Sequence, residues 1–136
     1  MKSISMAEEC IFCKIAKKEA PAYIVYEDDV SIAFLDINPL TEGHILLIPK
    51  RHYERLVLMP EDEIKEFAKS LKNVLKIVEE KLSPNYNIIV NNGSIQEIFH
   101  AHIHIVPRYG KERIFMWNAH KLTEEEAKRV LSKVKS

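Results

Sequence analysis

Histidine and apolar residues alternate in the heptapeptide His100-Ala101-His102-Ile103-His104-Ile105-Val106. Successive side chains of a β-strand point to opposite faces, so this spacing predicts a strand that carries three imidazoles on one face. The alanine and the isoleucines between them then point to the other face, where an apolar core can bury them. A helix would scatter the three imidazoles. The strand and any chemistry that the histidines share are therefore predicted together.

Two kinds of chemistry fit three neighbouring imidazoles. Histidines at alternate positions of a strand suit zinc ligation. A row of neutral imidazoles also suits proton transfer, nucleophilic attack and anion binding. A lone histidine on an apolar strand is more commonly a hydrogen-bonded core residue. The spacing alone leaves metal ligation and metal-free histidine catalysis equally open.

Helical and strand patterns alternate along the rest of the chain. Apolar residues recur with helical spacing over residues 61–82, which predicts one long helix of about 33 Å. Shorter helices are predicted at residues 10–18 and after a capping box formed by Thr123 and Glu126. Four β-rich runs accompany the histidine strand, at residues 22–27, 30–36, 44–49 and 86–91. We therefore predict an α+β fold, with a five-stranded antiparallel sheet, one long helix and short N- and C-terminal helices. We expect the helices to cover one face of the sheet.

The length and charge of the chain exclude several classes of protein. Its 136 residues fit one domain, which we expect to span residues 10–136 after a loose tail at residues 1–9. Twenty basic and twenty acidic side chains cancel, so no broad electrostatic field favours nucleic acid. No apolar run fits a signal peptide or a membrane span. We expect no membrane partner and a cytoplasmic location.

The glycines and cysteines also limit the chemistry. The chain has three glycines, Gly43, Gly93 and Gly110, whereas P-loops and dinucleotide-binding turns need several closely spaced ones. Phosphate must therefore be bound by side chains and a few amides. In a reducing compartment, Cys10 and Cys13 fit a thiol or metal pair better than a disulfide.

Five ordered segments of the chain resemble the histidine triad (HIT) family, in its Hint-like, protein kinase C inhibitor-type branch. Besides the histidine heptapeptide, they are Cys10-Ile11-Phe12-Cys13-Lys14-Ile15, Ala33-Phe34-Leu35-Asp36-Ile37, Gly43-His44-Ile45-Leu46-Leu47-Ile48-Pro49-Lys50-Arg51-His52 and Pro107-Arg108-Tyr109-Gly110. The C-terminal tail matches only loosely. The resemblance implies a single HIT-type domain, a purine nucleotide or nucleotide conjugate as ligand, and a homodimer with a shared sheet.

The resemblance implies a nucleotide hydrolase or transferase, most simply a purine nucleoside phosphoramidase. His102 would attack the α-phosphorus and form a nucleotidyl-histidine that water hydrolyses. The backbone carbonyl of His100 would accept a hydrogen bond from Nδ1–H of His102 and so aim Nε2 outward. His104 would contact phosphate oxygens or the leaving group, and His44 would be a fourth histidine at the same pocket.

The resemblance also implies which residues bind the nucleotide. Asp36 would accept hydrogen bonds from the ribose hydroxyls, and Phe34 and Ile37 would flank the base. Asn91 matches an asparagine near phosphate and sugar, and Gln96 aligns with a glutamine of the loop before the triad. Without the histidines, the two apolar residues would be interpreted as ordinary core and the aspartate as a turn cap.

A zinc site is implied beside the triad. Cys10 and Cys13 form a Cys-x-x-Cys motif, which is a moderate signal for zinc by itself. The resemblance adds His52 and His100 as ligands, and a closed set of four ligands implies a structural site. His100 would then hold zinc while His102 stays free to attack. The alternative is two reduced, buried cysteines.

The chain departs from the family pattern in the loop before the triad. Residues 91–99 are two residues shorter than the usual loop, and Glu97 stands where the family has a hydroxyl that helps the leaving group. Trp117 is a candidate for the family's C-terminal tryptophan. Two other functions therefore stay open. One is a purine-nucleotide-binding or scaffold protein with negligible turnover, and the other is a hydrolase whose zinc is bound by all three histidines of the triad.

Overall fold

A computed structural model describes residues 10–110 and 118–136. The strands are β1 Ile24–Glu27, β2 Ser31–Leu35, β3 Ile45–Pro49, β4 Tyr86–Ile89 and β5 Ile103–Pro107. They form one antiparallel sheet in the order β1-β2-β3-β5-β4. The α-helices are α1 Ile11–Ala16, α2 Glu61–Lys81 and α3 Glu124–Lys135, with a 3-10 turn at Leu56–Leu58. The predicted α+β fold is confirmed. The predicted tail at residues 1–9 and Trp117 lie outside the described residues.

The histidine strand is shorter than predicted. Strand pairing begins at Ile103, so only His104 of the three histidines lies within β5. In the segment before β5, the amide of Ala101 donates at 2.7 Å to the carbonyl of the loop residue Tyr53. The prediction of three histidines on one strand was therefore wrong in its extent. The predicted burial of the apolar residues between them is confirmed.

Apolar side chains cover both faces of the sheet. One cluster joins α2 to the strand residues Ala33, Ile45, Leu47, Ile103 and Ile105. The strand residues that point the opposite way pack with α1 in a second cluster, which contains Phe12, Cys13, Ile15, Ile32, Phe34, Leu46 and Ile48. Our expectation that the helices share one face was wrong. Three of the six residues of α1 are buried and apolar, so this short helix closes the second face.

A tight turn leads into β3 and positions the first residue of the site. The amide of Asp36 donates to the carbonyl of His44 at 2.9 Å, and Gly43 between them has a φ of +84°. A Cβ on Gly43 would lie 2.9 Å from Cδ1 of Leu82. The backbone conformation therefore favours glycine, and a larger residue would also have to displace the exposed side chain of Leu82.

The C-terminal helix begins as the sequence predicts. Oγ1 of Thr123 accepts a hydrogen bond from the amide of Glu126 at 3.2 Å, which satisfies a free donor of the first turn. None of the helices in the described part of the chain is long and apolar enough to cross a membrane.

Candidate active site and metal site

A cavity of about 750 Å³ opens on the face of the sheet that α1 covers. Its walls are the segment around α1, the turn that follows β2 and the loop between β4 and β5. His44, His102 and His104 line it together. Most of the predicted nucleotide-binding residues line it as well, namely Phe34, Asp36, Ile37, Asn91, His102 and His104. Gln96 does not line it.

The tautomer of His102 follows from one hydrogen bond. Its Nδ1 lies 2.7 Å from the carbonyl oxygen of His100, as the resemblance implies. A carbonyl can only accept, so the neutral imidazole carries its proton on Nδ1 and a lone pair on Nε2. The ring is buried, with its centre 5.2 Å from the ring of Phe12 in an edge-on contact. His102 is therefore a fixed imidazole at the cavity wall with an unprotonated Nε2.

A chain of donors fixes the tautomers of His44 and His104. The amide of Leu40 donates to Nδ1 of His44 at 3.0 Å, so neutral His44 carries its proton on Nε2. That nitrogen lies 3.0 Å from Nδ1 of His104, which must accept. Neutral His104 consequently carries its proton on Nε2. The site thus combines a lone pair on His102 with an N–H on His104.

Burial keeps the imidazoles of His44 and His104 neutral at pH 7. Desolvation lowers the pKa of His104 to about 4, and the neighbouring His102 and His44 lower it further by charge repulsion. Burial also lowers the pKa of His44, although the nearby carboxylate of Asp36 opposes the shift. Oδ2 of Asp36 lies 3.6 Å from Nε2 of His44, too far for a good hydrogen bond. Both histidines act as neutral dipoles rather than cations.

The two carboxylate oxygens of Asp36 have different contacts. Oδ1 accepts from the amide of Asn38 at 2.8 Å and so caps the turn after β2. Oδ2 forms only the long contact to His44. Phe34 is buried against Phe12, with ring centres 5.5 Å apart, whereas the side chain of Ile37 is 83% exposed. The turn-cap interpretation holds for Asp36 and the core interpretation for Phe34, but Ile37 is not a core residue. One carboxylate oxygen of Asp36 remains for a ligand.

Gln96 holds the loop between β4 and β5 together. Its Nε2 donates to the carbonyls of Glu54 and Ile98 at 2.9 and 3.1 Å, and its Oε1 accepts from the amide of Gly93 at 2.9 Å. Its side-chain groups are therefore engaged inside the protein, and its contact with a nucleotide stays a prediction. Glu97, the next residue, does line the cavity.

The four predicted metal ligands come together behind the cavity. The donor atoms of Cys10, Cys13, His52 and His100 lie within 4.8 Å of one another. Sγ of Cys13 lies 3.2 Å from Nδ1 of His52, and Sγ of Cys10 lies 3.4 Å from Nδ1 of His100. Tetrahedral zinc with ordinary bond lengths separates sulfur from nitrogen by about 3.6 Å. The arrangement fits a zinc ion.

Hydrogen bonding and burial prepare these ligands. Nε2 of His100 donates to the carbonyl of Pro49 at 2.8 Å, which leaves the lone pair of Nδ1 facing the thiols. Burial lowers the pKa of His100 to about 4 and lowers that of His52. Burial, together with repulsion from Cys10, raises the pKa of the Cys13 thiol to about 12. A metal ion must therefore displace thiol protons, as thiolate ligation requires.

Several contacts of the site were not singled out from the sequence. Leu40 and Pro49 act through backbone groups, which leave no side-chain pattern. Phe12 packs its ring against both His100 and His102, with centres 5.9 and 5.2 Å apart. The position of Phe12 between Cys10 and Cys13 could have predicted this contact. A metal ion bound by the cysteines together with His52 and His100 would place Phe12 beside the histidines.

Known proteins resemble this chain in sequence and structure. A model of the HIT domain matches residues 17–111. An adenylylsulfatase of Arabidopsis thaliana is 39% identical over 131 residues, 94% of this chain and 66% of that protein. An adenosine 5′-monophosphoramidase of Saccharomyces cerevisiae is 41% identical over 104 residues, 73% and 62% of the two chains. The crystal structure of a HIT family member from Bacillus subtilis superposes with a TM-score of 0.84 at 34% identity, covering 93% of this chain and 94% of that one.

Proposed function

Because the chain belongs to the HIT domain family, we propose that it is a nucleotide hydrolase or transferase that attacks the α-phosphorus of purine nucleoside phosphoramidates or related nucleotide conjugates. The observation that carries the proposal is the 2.7 Å contact between Nδ1 of His102 and the carbonyl of His100, which leaves Nε2 as a lone pair at the cavity. The names of the two relatives, an adenylylsulfatase and an adenosine 5′-monophosphoramidase, support this class of substrate.

The reaction has two steps. Nε2 of His102 attacks the phosphorus, the bond from phosphorus to the leaving nitrogen breaks, and the amine leaves with that electron pair and a proton. The nucleotidyl-imidazolium keeps its Nδ1–H on the carbonyl of His100, a hydrogen bond that strengthens as the ring becomes cationic. Water then attacks phosphorus and loses a proton to solvent, the bond to Nε2 breaks with its electron pair returning to His102, and the nucleoside monophosphate leaves.

The other histidines orient the phosphate. Nε2–H of His104 would donate to a phosphate oxygen or to the leaving group, and His44 holds that imidazole through the contact at 3.0 Å. Because burial keeps His104 neutral, this contact is a hydrogen bond rather than an ion pair. In the proposed mechanism His102, His104 and His44 are the catalytic residues.

The turn after β2 would hold the nucleoside. Oδ2 of Asp36 is the oxygen that can accept hydrogen bonds from the ribose hydroxyls, and Phe34 and Ile37 would flank the purine. Asn91, which lines the same cavity, would approach the phosphate and sugar. Gln96 would contribute by holding the loop that carries Asn91.

The cluster of Cys10, Cys13, His52 and His100 would hold one structural zinc ion. Zinc there would fasten the segment around α1 to the sheet and fix the ring of His100, and it would supply no chemistry at phosphorus. The opposing function, a hydrolase with zinc on the triad, is less well supported because the ring of His100 faces the cysteines.

We propose a homodimer with a shared sheet. Among the described strands, β4 pairs only with β5 and is an edge, so its outer backbone groups are available to a second copy. The proposal also keeps a cytoplasmic location, and no nucleic acid or membrane as partner. Light scattering of purified protein measures the dimer directly.

The decisive experiment is intact mass analysis of the protein mixed with an adenosine phosphoramidate and denatured at alkaline pH, where the bond between phosphorus and histidine survives. We expect an adenylyl adduct on the wild type and none on His102→Ala. Turnover without an adduct under any quench would contradict the covalent mechanism. Tight nucleotide binding with neither adduct nor turnover would instead indicate the nucleotide-binding or scaffold protein.

A further inference from the structure

We propose that this site acts best on phosphoramidates whose leaving amine carries a second, positively charged group, and that Glu97 is the residue that selects them. This inference rests on the proposed function and specifies its substrate class.

The charged side chains at the cavity are acidic. Among the described residues, Asp36 and Glu97 line it and no lysine or arginine does. His44 and His104 are kept neutral by burial. The α-phosphate would therefore be bound by hydrogen-bond donors alone, and a further negative charge on the ligand would find no cation in this part of the chain.

The two carboxylates belong to cavity segments that adjoin different strands of the sheet. β5 lies between β3 and β4, and β2 lies beyond β3. Asp36 follows β2, whereas Glu97 belongs to the loop between β4 and β5. With the nucleoside on the β2 side, the wall that contains Glu97 remains for the group beyond phosphorus. In-line attack by His102 sends the leaving atom away from the imidazole and into this remaining space.

The loop beside Glu97 is fixed, but the carboxylate of Glu97 has no ion pair with a described residue. The preceding residue, Gln96, is buried and forms three hydrogen bonds that fix the loop. The side chain of Glu97 is exposed, and no lysine, arginine or histidine within residues 10–110 and 118–136 forms an ion pair with it. A cationic group on the leaving amine would supply that missing partner.

The second cation takes no part in the bond changes. The leaving nitrogen accepts the electron pair and a proton as before, while an ammonium farther along the leaving chain stays intact and pairs with Glu97. Because the carboxylate is exposed, the gain is that of a surface ion pair, roughly two- to fivefold in kcat/KM. A leaving chain that ends in a carboxylate should lose activity by a similar factor.

The test compares three adenosine phosphoramidates with leaving chains of equal length, which end in a methyl, an ammonium or a carboxylate group. For the wild type we expect kcat/KM to be largest for the ammonium and smallest for the carboxylate. Glu97→Gln should abolish this order once each rate is divided by the intrinsic reactivity of its substrate. Glu80→Gln, an equal change of charge at an exposed position of α2 that does not line the cavity, should preserve it. Added salt should reduce the preference of the wild type.

Equal rates for the three substrates in the wild type would overturn the inference and leave the proposed function standing. An unchanged order in Glu97→Gln would show that another group makes the selection, which also overturns it. If no substrate is turned over and none gives an adenylyl adduct, the proposed function itself fails.

Discussion

The carbonyl oxygen of His100 lies 2.7 Å from Nδ1 of His102, while the imidazole of the same His100 contacts both cysteines at 3.4 and 3.5 Å. One residue therefore belongs to the metal site through its side chain and orients the proposed nucleophile through its backbone. Any change that displaces the ring of His100 should also move the lone pair of His102.

Replacement of His102 by alanine should abolish turnover and the covalent adduct while nucleotide affinity changes little. We expect kcat to fall by at least about a thousandfold. The unprotonated nitrogens of His44 and His104, the other histidines that line the cavity in the described residues, already accept hydrogen bonds and have no free lone pair. Rapid-quench kinetics and nucleotide titration would measure the two effects. His120→Ala is the matched control, since His120 is exposed and lies outside the cavity. Turnover retained by His102→Ala would contradict the assignment.

Loss of the cysteines should destabilise the protein through the metal site. We expect one zinc ion per chain in the wild type by metal analysis, and none in Cys10→Ser/Cys13→Ser. The melting temperature of the double variant should fall by more than about 5 °C, since ligand binding to the folded state contributes to its stability. A chelator should lower the melting temperature of the wild type and leave that of the double variant unchanged. A metal-free wild type of equal stability would refute the site.

Asp28 should make stability depend on pH in the acid range. Burial alone would raise the pKa of this carboxyl, but hydrogen bonds from Ser70 and Tyr26 and from two backbone amides outweigh burial and lower it. A lowered pKa in the folded state adds stability that is fully present above the ordinary value of 3.8 and is lost as the pH falls through the folded value. Asp28→Asn should cost about 1–2 kcal/mol at pH 7.

The pH dependence gives Asp28→Asn its control. Urea unfolding of both proteins should show the difference in stability shrinking below about pH 4. A difference that stays constant down to pH 2.5, about one unit below the ordinary pKa, would mean that the variant loses packing rather than the charged hydrogen bonds.

Gly43→Ala should destabilise the turn that carries His44. The φ of +84° disfavours any side chain, and the new Cβ would lie 2.9 Å from Leu82. We expect a loss of about 1–2 kcal/mol in chemical denaturation. In the background of Leu82→Ala, the same substitution should cost less because the contact is gone, yet it should still cost something because the backbone strain remains. An equal cost in both backgrounds would show that the contact with Leu82 is immaterial.

Most of the fold could be predicted because each element leaves a local pattern in the sequence. The helix at Glu61–Lys81 has the helical spacing of apolar residues, and β2 and β3 are short, nearly continuous apolar runs that are buried on both faces of the sheet. The start of β5 could not be predicted, because it depends on a hydrogen bond between Ala101 and the distant Tyr53. The face covered by α1 was missed for a related reason, since its packing depends on partners in strands far along the chain.

The candidate site could also be predicted only in part from the sequence. The titratable side chains of the site were predicted from their spacing and from a family resemblance. The structure brings the two cysteines and two histidines of the metal cluster together. The tautomer of His102 was implied by the resemblance, and the contact with the carbonyl of His100 agrees with it. The tautomers of His44, His104 and His100 could not be predicted, because they depend on the backbone amide of Leu40 and the carbonyl of Pro49. Gln96 was found, but a sequence does not show that its side chain is engaged inside the loop.

The hydrogen bond from the amide of Leu40 to Nδ1 of His44 blocks proton transfer through the imidazoles of His44 and His104. An amide neither titrates nor rotates away, so no proton can enter the row at that end. His104 could give its Nε2 proton to a leaving group only if its Nδ1 took up a proton from Nε2 of His44. The amide of Leu40 cannot replace that proton on His44. The proton that the departing amine needs must therefore arrive from the open side, with the substrate or with the water above it. The turnover rate should then depend on the protonation of the substrate more than on that of the protein.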